Sequence, residues 1–352
     1  MATPLCVLLL SRPLEGFILE DQARDLLRAP SVVAVEPARL PYGTFARIPE
    51  ALGDAIAVTQ ARRLHRRLPG EPRVVVIFHA LQYQLARALI ARAGTDCELW
   101  YSRWDRYEAA YDAPPRMRAR IAELHELAAA RSSLTFCASV ELARQEREAG
   151  REAVVTGLAV DSFPSLDPEA GGRADVANLG DLSEPVAVSL GHLGHRVDWA
   201  LLAGLRERVP ASRRLLVGAW HAAEVGADPA DRALRADARV EWLGPLDDAA
   251  AAAALARADV GLVPFRVEPF NDAGLPYRIL KYARMGRRSL CPPLAGVRTW
   301  ERAVTFCDGV EAMAAALRDA AGARARPDLE LRRWALEQAA FRVNAPLWDR
   351  LE

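Results

Sequence analysis

Lysine is almost missing from this chain. Its 46 lysine and arginine side chains include a single lysine, Lys281. Net charge is missing too, because 46 acidic side chains offset the basic ones across 352 residues. A balanced chain offers no general basic surface, so nucleic acid is not an expected partner. Cysteine is sparse and scattered: Cys6, Cys97, Cys137, Cys291 and Cys307. An odd, dispersed set fits buried, reduced thiols in the cytoplasm better than a disulfide framework. No C-x-x-C or clustered His/Cys spacing points to a metal site, so neither metal nor cofactor is expected. No apolar run reaches the roughly 18 residues of a spanning helix. Pro4–Leu10 is apolar but short, with no basic lead and no cleavage site. It reads as a first strand rather than a signal peptide. No G-x-G-x-x-G follows Leu10 or Leu190, which argues against a dinucleotide dehydrogenase.

What is present is 51% apolar residues, enough for buried cores, on a length that suits about two domains. Strand and helix signals alternate from the start. Strands are predicted at 5–10, 32–35, 73–78, 98–101, 134–138 and 153–158. Helices are predicted at 19–28, 55–68, 81–93, 116–130 and 140–149. This alternation predicts a doubly wound α/β domain over 1–165. The stretch 166–185 is rich in Asp, Gly, Pro and Ala and reads as a linker. A second alternating series follows over 186–328, with strands at 186–190, 215–217, 240–243, 260–263 and 289–291. The last segment, 329–352, is predicted helical, with a break near Pro346.

Lys281 lies in Gly274-Leu-Pro-Tyr-Arg-Ile-Leu-Lys-Tyr-Ala-Arg-Met-Gly286. Pro276 suits the first turn of a helix and Gly286 its end. Arg278 and Lys281, three apart, then project on one face. Beside a helix N-terminus the two cations form a diphosphate seat; the plainer alternative is a surface helix with solvated cations. Flanking strands make a βαβ unit, so the loop 266–275 falls at the C-terminal sheet edge, where α/β sheets bind ligands. Gly191 and Gly194 allow close backbone approach to phosphate, or simply make a tight turn. His195 and Arg196 follow directly; Arg196 reaches phosphate or pairs with Asp198. The backbone around Leu243 and Leu246, after a strand, contacts a base or is an ordinary turn. Asp105, between Trp104 and Tyr107, is a carboxylate among aromatics that suit sugar faces; capping or pairing with Arg103 or Arg106 is the alternative. His79 ends the strand 73–78. Ala61-Arg-Arg-Leu-His-Arg-Arg-Leu68 is a basic amphipathic patch, either solvated or set against an anionic membrane.

These segments, in this order, resemble a family. Ser11-Arg-Pro-Leu-Glu-Gly16, Trp100–Tyr107, Ser133–Ser139, Leu158–Phe163, Gly191–Trp199, Trp242–Leu246 and Pro276–Gly286 resemble bacterial glycosyltransferases of the GT-B fold. The nearest are the teichuronic-acid and xanthan-type exopolysaccharide transferases. The resemblance implies two Rossmann-like domains facing across a cleft, with the final helices returning to the N-terminal domain. It implies a nucleotide-sugar donor, UDP-sugar first, bound by the C-terminal domain. The acceptor is a glycan, lipid-linked or small-molecule hydroxyl, and transfer proceeds without metal; no Asp-x-Asp contradicts this. It places Glu268 and Asp272 beside the donor sugar and ribose, and Ser11, Arg12, Trp104 and Tyr107 on the acceptor side. An inverting member needs a general base, for which Asp105 is first and His79 second; a retaining one needs neither. Relatives often carry a ribose-binding glutamate where this chain has Lys281, so either the ribose is held differently or Lys281 meets phosphate. The implied location is the cytoplasm, with room for contact at the inner membrane face. A nucleotide-sugar epimerase and a catalytically inactive nucleotide-sugar-binding protein are the alternatives.

Overall fold

A computed structural model describes residues 5–37, 44, 47–110, 113–165 and 181–351. Most of the expected linker, 166–180, lies outside the described residues. The chain divides into two compact units. The first comprises 1–159, 273–275 and 340–352; the second comprises 160–272 and 276–339.

The first unit holds a six-stranded sheet of order β2-β1-β3-β4-β5-β6. Its strands are β1 (Leu5–Leu9), β2 (Val32–Val35), β3 (Pro72–Ile77), β4 (Glu98–Arg103), β5 (Leu134–Cys137) and β6 (Ala153–Val155). All pair in parallel. Every residue of β1 and β5 is buried, as expected of strands covered by helices on both faces. The core gathers Val7, Leu9, Val75, Ile77, Leu99 and Tyr101 against Ala86, Leu89, Leu124 and Ala128 of the covering helices. Strand order reverses between β1 and β3, which is where such a sheet opens a crevice at its C-terminal edge.

The second unit holds β7 (Val186–Leu190), β8 (Arg213–Val217), β9 (Val240–Gly244), β10 (Val260–Leu262), β11 (Ser289–Cys291) and β12 (Val304–Phe306). Its order is β12-β11-β10-β7-β8-β9, again parallel throughout. Counted from β7 this is 3-2-1-4-5-6, the order of dinucleotide-binding sheets, with its switch point between β7 and β10. Asp259 fixes that centre from below. Its carboxylate accepts from Val186 N at 2.8 Å and Arg324 N at 2.8 Å, and pairs with the Arg324 guanidinium at 2.5 Å. Both partners are buried.

The final segment is helical with the expected break near Pro346, and it breaks once earlier as well. Its helices are Leu329–Glu337, Ala340–Val343 and Ala345–Leu351, so the chain breaks at Asn344 and Pro346 sits in the first turn of the last helix, where its missing N–H costs nothing. The first of them stays in the second unit. The last two belong to the first unit, where Asn344 Nδ2 donates to Gln22 O at 2.8 Å and Asp25 Oδ2 at 2.9 Å. The helix at 278–284 also starts later than expected, with Tyr277 rather than Pro276 at its cap. β12 was not anticipated. Its three residues follow a 3-10 turn and carry no lasting apolar run.

Candidate functional site

Sequence-predicted residues collect at the C-terminal edges of both sheets. In the first unit, Ser11 and Arg12 follow β1, His79 follows β3, and Asp105 follows β4, adjacent strands around that unit's switch point. Trp104 Nε1 donates to Phe78 O at 2.8 Å, tying the end of β4 to that of β3. Tyr107 packs on His79 with ring centroids 4.1 Å apart and on Trp104 at 5.3 Å. His79, Trp104 and Tyr107 thus form one aromatic group, with Asp105 in the same segment and 7% exposed. Arg12 is exposed and Ser11 half-buried.

The arginines on either side of Asp105 bind glutamates, and His79 has a local structural role. Arg103 is committed to Glu146 and Glu108, each at 2.7 Å, and Arg106 to Glu108. His79 caps the turn that follows it: its Nδ1 accepts from Leu81 N at 3.1 Å. Desolvation pushes the His79 imidazole down to about 4. The neutral ring also suits that cap, since a protonated Nδ1 has no lone pair to accept with.

In the second unit the centre is Arg278, 9% exposed at the start of its helix. Its Nη1 donates to Ser189 Oγ of β7 at 3.3 Å, and its guanidinium lies 4.6 Å from the Phe265 ring centroid. Arg196 comes over the same ring at 4.9 Å and over Phe270 at 4.6 Å. Its Nε donates to Asn271 Oδ1 at 2.9 Å, and Asn271 Nδ2 returns bonds to Arg196 O and Arg266 O. Burial first, and Arg196 after it, hold the Arg278 guanidinium below its ordinary range, while Tyr282 acts in the opposite sense. Two cations sharing one aromatic ring at a sheet switch point are an arrangement that could seat an anion.

Gly191 belongs to this seat. It has φ of +103°, and a Cβ there would lie 2.9 Å from Arg278 Nη2. Glycine therefore lets the backbone after β7 approach the guanidinium. Glu268 helps line a cavity of about 340 Å³ with Asp198, Asp228 and Arg266. Asp272 turns elsewhere, accepting from Ala295 N at 2.8 Å. Leu243 lies in β9, one residue before its end at Gly244, and Leu246 is exposed beyond it.

Lys281 departs from expectation. Its Nζ binds Asp248 Oδ1 at 2.7 Å and lies over the Phe163 and Tyr277 rings at 4.6 and 5.1 Å. Arg278 and Lys281 therefore have separate partners and do not converge. The helix is also only seven residues long, so the candidate seat rests on Arg278 and Arg196 over Phe265 rather than on the helix terminus.

The remaining loop residues bring a second surprise. His192, His195, His221 and Glu224 meet between the loops after β7 and β8. Glu224 Oε2 lies 2.6 Å from His192 Nε2 and 2.7 Å from His195 Nδ1. His192, His221 and Glu224 form a group able to hold a metal ion. Sequence reasoning overlooked it and gave His195 a donor role. The signal was there as His192-x-x-His195 and His221-x-x-Glu224, two i, i+3 pairs on separate loops.

Outside these sites, Arg62, Arg63, Arg66 and Arg67 are exposed, but the helix Glu50–His65 ends within the basic patch. Among the described residues no helix is long and apolar enough to cross a membrane.

No protein-family model and no curated protein matches the sequence. Solved structures do. Sucrose-phosphate synthase from Thermosynechococcus elongatus aligns over 99% of this chain and 98% of its own, at 14% identity and TM-score 0.71. Anabaena HepE in complex with UDP aligns over 99% of both chains, at 15% identity and TM-score 0.71. The lipopolysaccharide outer core galactosyltransferase WaaB aligns over 99% of this chain and 100% of its own, at 12% identity and TM-score 0.65. At such identities the likeness concerns architecture: the chain has the two-sheet GT-B fold of these glycosyltransferases.

Proposed function

We propose that this chain is a glycosyltransferase that moves a sugar from a nucleoside diphosphate sugar to an acceptor hydroxyl. The observation that carries the proposal is the pair Arg196 and Arg278 over Phe265, beside Gly191, at the β7–β10 switch point. Departure of a nucleoside diphosphate needs positive charge preorganised where negative charge develops. Two half-buried or buried arginines, held by Asn271 and Ser189, supply it. With both at the leaving diphosphate, transfer is proposed to need no bound metal. UDP-sugar is the first choice of donor, supported by HepE, whose structures carry UDP or UDP-glucose. Glu268 is proposed to face the donor sugar from the adjoining cavity.

Asp105 is proposed as the general base of an inverting reaction, with Trp104 and Tyr107 against the acceptor. Burial keeps the His79 imidazole a weak base, which supports Asp105 over it. The acceptor class, a glycan or lipid-linked sugar of the teichuronic-acid and xanthan type, rests on the sequence resemblance. The exposed arginines at 62, 63, 66 and 67 support peripheral contact with an anionic membrane carrying such an acceptor.

Incubation with a panel of nucleotide sugars, followed by chromatography for released nucleotide, tests the proposal. Release of UDP from one UDP-sugar, by slow hydrolysis or by transfer to an added acceptor, is expected. A protein that binds no nucleotide and releases none from any donor contradicts it.

A further inference from the structure

The histidine–glutamate group in the second unit is built, not accidental. The loops after β7 and β8 are stitched together by backbone bonds: Leu193 N to Ala219 O at 3.0 Å and His221 N to Leu193 O at 2.9 Å. This places His192 and His221 side by side, rings stacked with centroids 4.1 Å apart. Gly194 leaves the space that the group fills. A Cβ at 194 would lie 2.1 Å from Glu224 Oε2 and 2.3 Å from His192 Nε2. Any side chain there would push the carboxylate out.

We propose that His192, His221 and Glu224 bind one divalent transition-metal ion of the zinc class. Each offers one ligand atom, and these atoms lie within 4.8 Å of one another. Tetrahedral zinc with bonds of about 2.0–2.2 Å places its ligand atoms roughly 3.3 Å apart, so small side-chain rotations suffice. Two imidazoles and one carboxylate are ligands for zinc rather than for calcium or magnesium, which ask for oxygen sets. Three protein ligands leave a fourth position for water. His195 Nδ1, 2.7 Å from Glu224 Oε2, is a positioning residue that orients the carboxylate. The ion clips together two loops at the C-terminal sheet edge and takes no part in the proposed transfer. It stands whether or not the chain is a transferase.

Full-length protein, stripped with a chelator and titrated with zinc chloride near neutral pH, tests this. Calorimetry should give one ion per chain, and the melting temperature should rise with zinc concentration because only the folded chain holds the site. His221→Ala and Glu224→Gln should each weaken binding by roughly tenfold or more, with melting unchanged in the absence of metal. Cobalt in place of zinc should give visible bands without thiolate charge transfer. No stoichiometric binding, wild-type affinity in either variant, or a cobalt–thiolate band that moves the ion to the cysteines would each overturn the site.

Discussion

Arg278 Nη2 lies 2.9 Å from the point a Cβ on Gly191 would occupy. The two residues are 87 positions apart in sequence (278 − 191) yet define one wall of the anion seat. Gly191→Ala should therefore act at the seat. It places a methyl against the guanidinium and forces an L residue to a φ of +103°, at a cost of about 1–2 kcal/mol. Nucleotide affinity should fall roughly tenfold or more, with a modest drop in melting temperature. Wild-type affinity by calorimetry would remove Gly191 from the seat.

Asp105→Asn should reduce turnover by about 100-fold or more while nucleotide affinity stays near wild type, since general-base catalysis contributes about 10²–10⁴. Steady-state rates and nucleotide titrations on the same preparation separate the two effects. Near-normal turnover would exclude Asp105 as the base and favour a retaining mechanism.

Asp259→Asn should destabilise the second unit by about 3–5 kcal/mol, because it strips the charge from a buried partner of Arg324. Urea unfolding measures this. A change below 1 kcal/mol would mean that the pair does not hold the bottom of β7.

The His79 ring gives a pH dependence whose sign follows from its depressed folded value. Near 6.5 and below, the unfolded chain binds a proton that the folded chain refuses down to about 4. The contribution is fully present above pH 6.5 and is lost as pH falls towards 4, up to roughly 3 kcal/mol. His79→Asn retains a capping oxygen and removes the titration. Its stability should be flatter across this window in denaturant melts at several pH values. Equal slopes for wild type and variant would contradict a neutral, capping His79.

Much of the architecture was legible in the sequence, and for a simple reason. Val186–Leu190 and Ser289–Cys291 are apolar runs bounded by glycine or proline, and both are strands as predicted. Fully buried parallel strands advertise themselves in this way. The site was legible only in part. Arg278 and Gly191, singled out by local motif chemistry, do lie together. The partner of Arg196, Asn271, lies 75 residues downstream, and nothing local marks it. Lys281 attracted attention by its rarity, but Asp248, 33 residues upstream, holds it. The histidines failed for the opposite reason: their two short motifs gain meaning only when the loops after β7 and β8 are joined. β12 was missed because three residues are too few for a periodic signal.

The seat made by Arg196 and Arg278 is the central claim, and calorimetric titration of UDP into wild type and Arg278→Ala tests it most directly. Wild type should bind one UDP per chain. The variant, folded by circular dichroism, should bind about 1.5–3 kcal/mol more weakly, the worth of one charge-assisted contact. Equal affinity in the two proteins, or no nucleoside diphosphate bound by wild type, would contradict it.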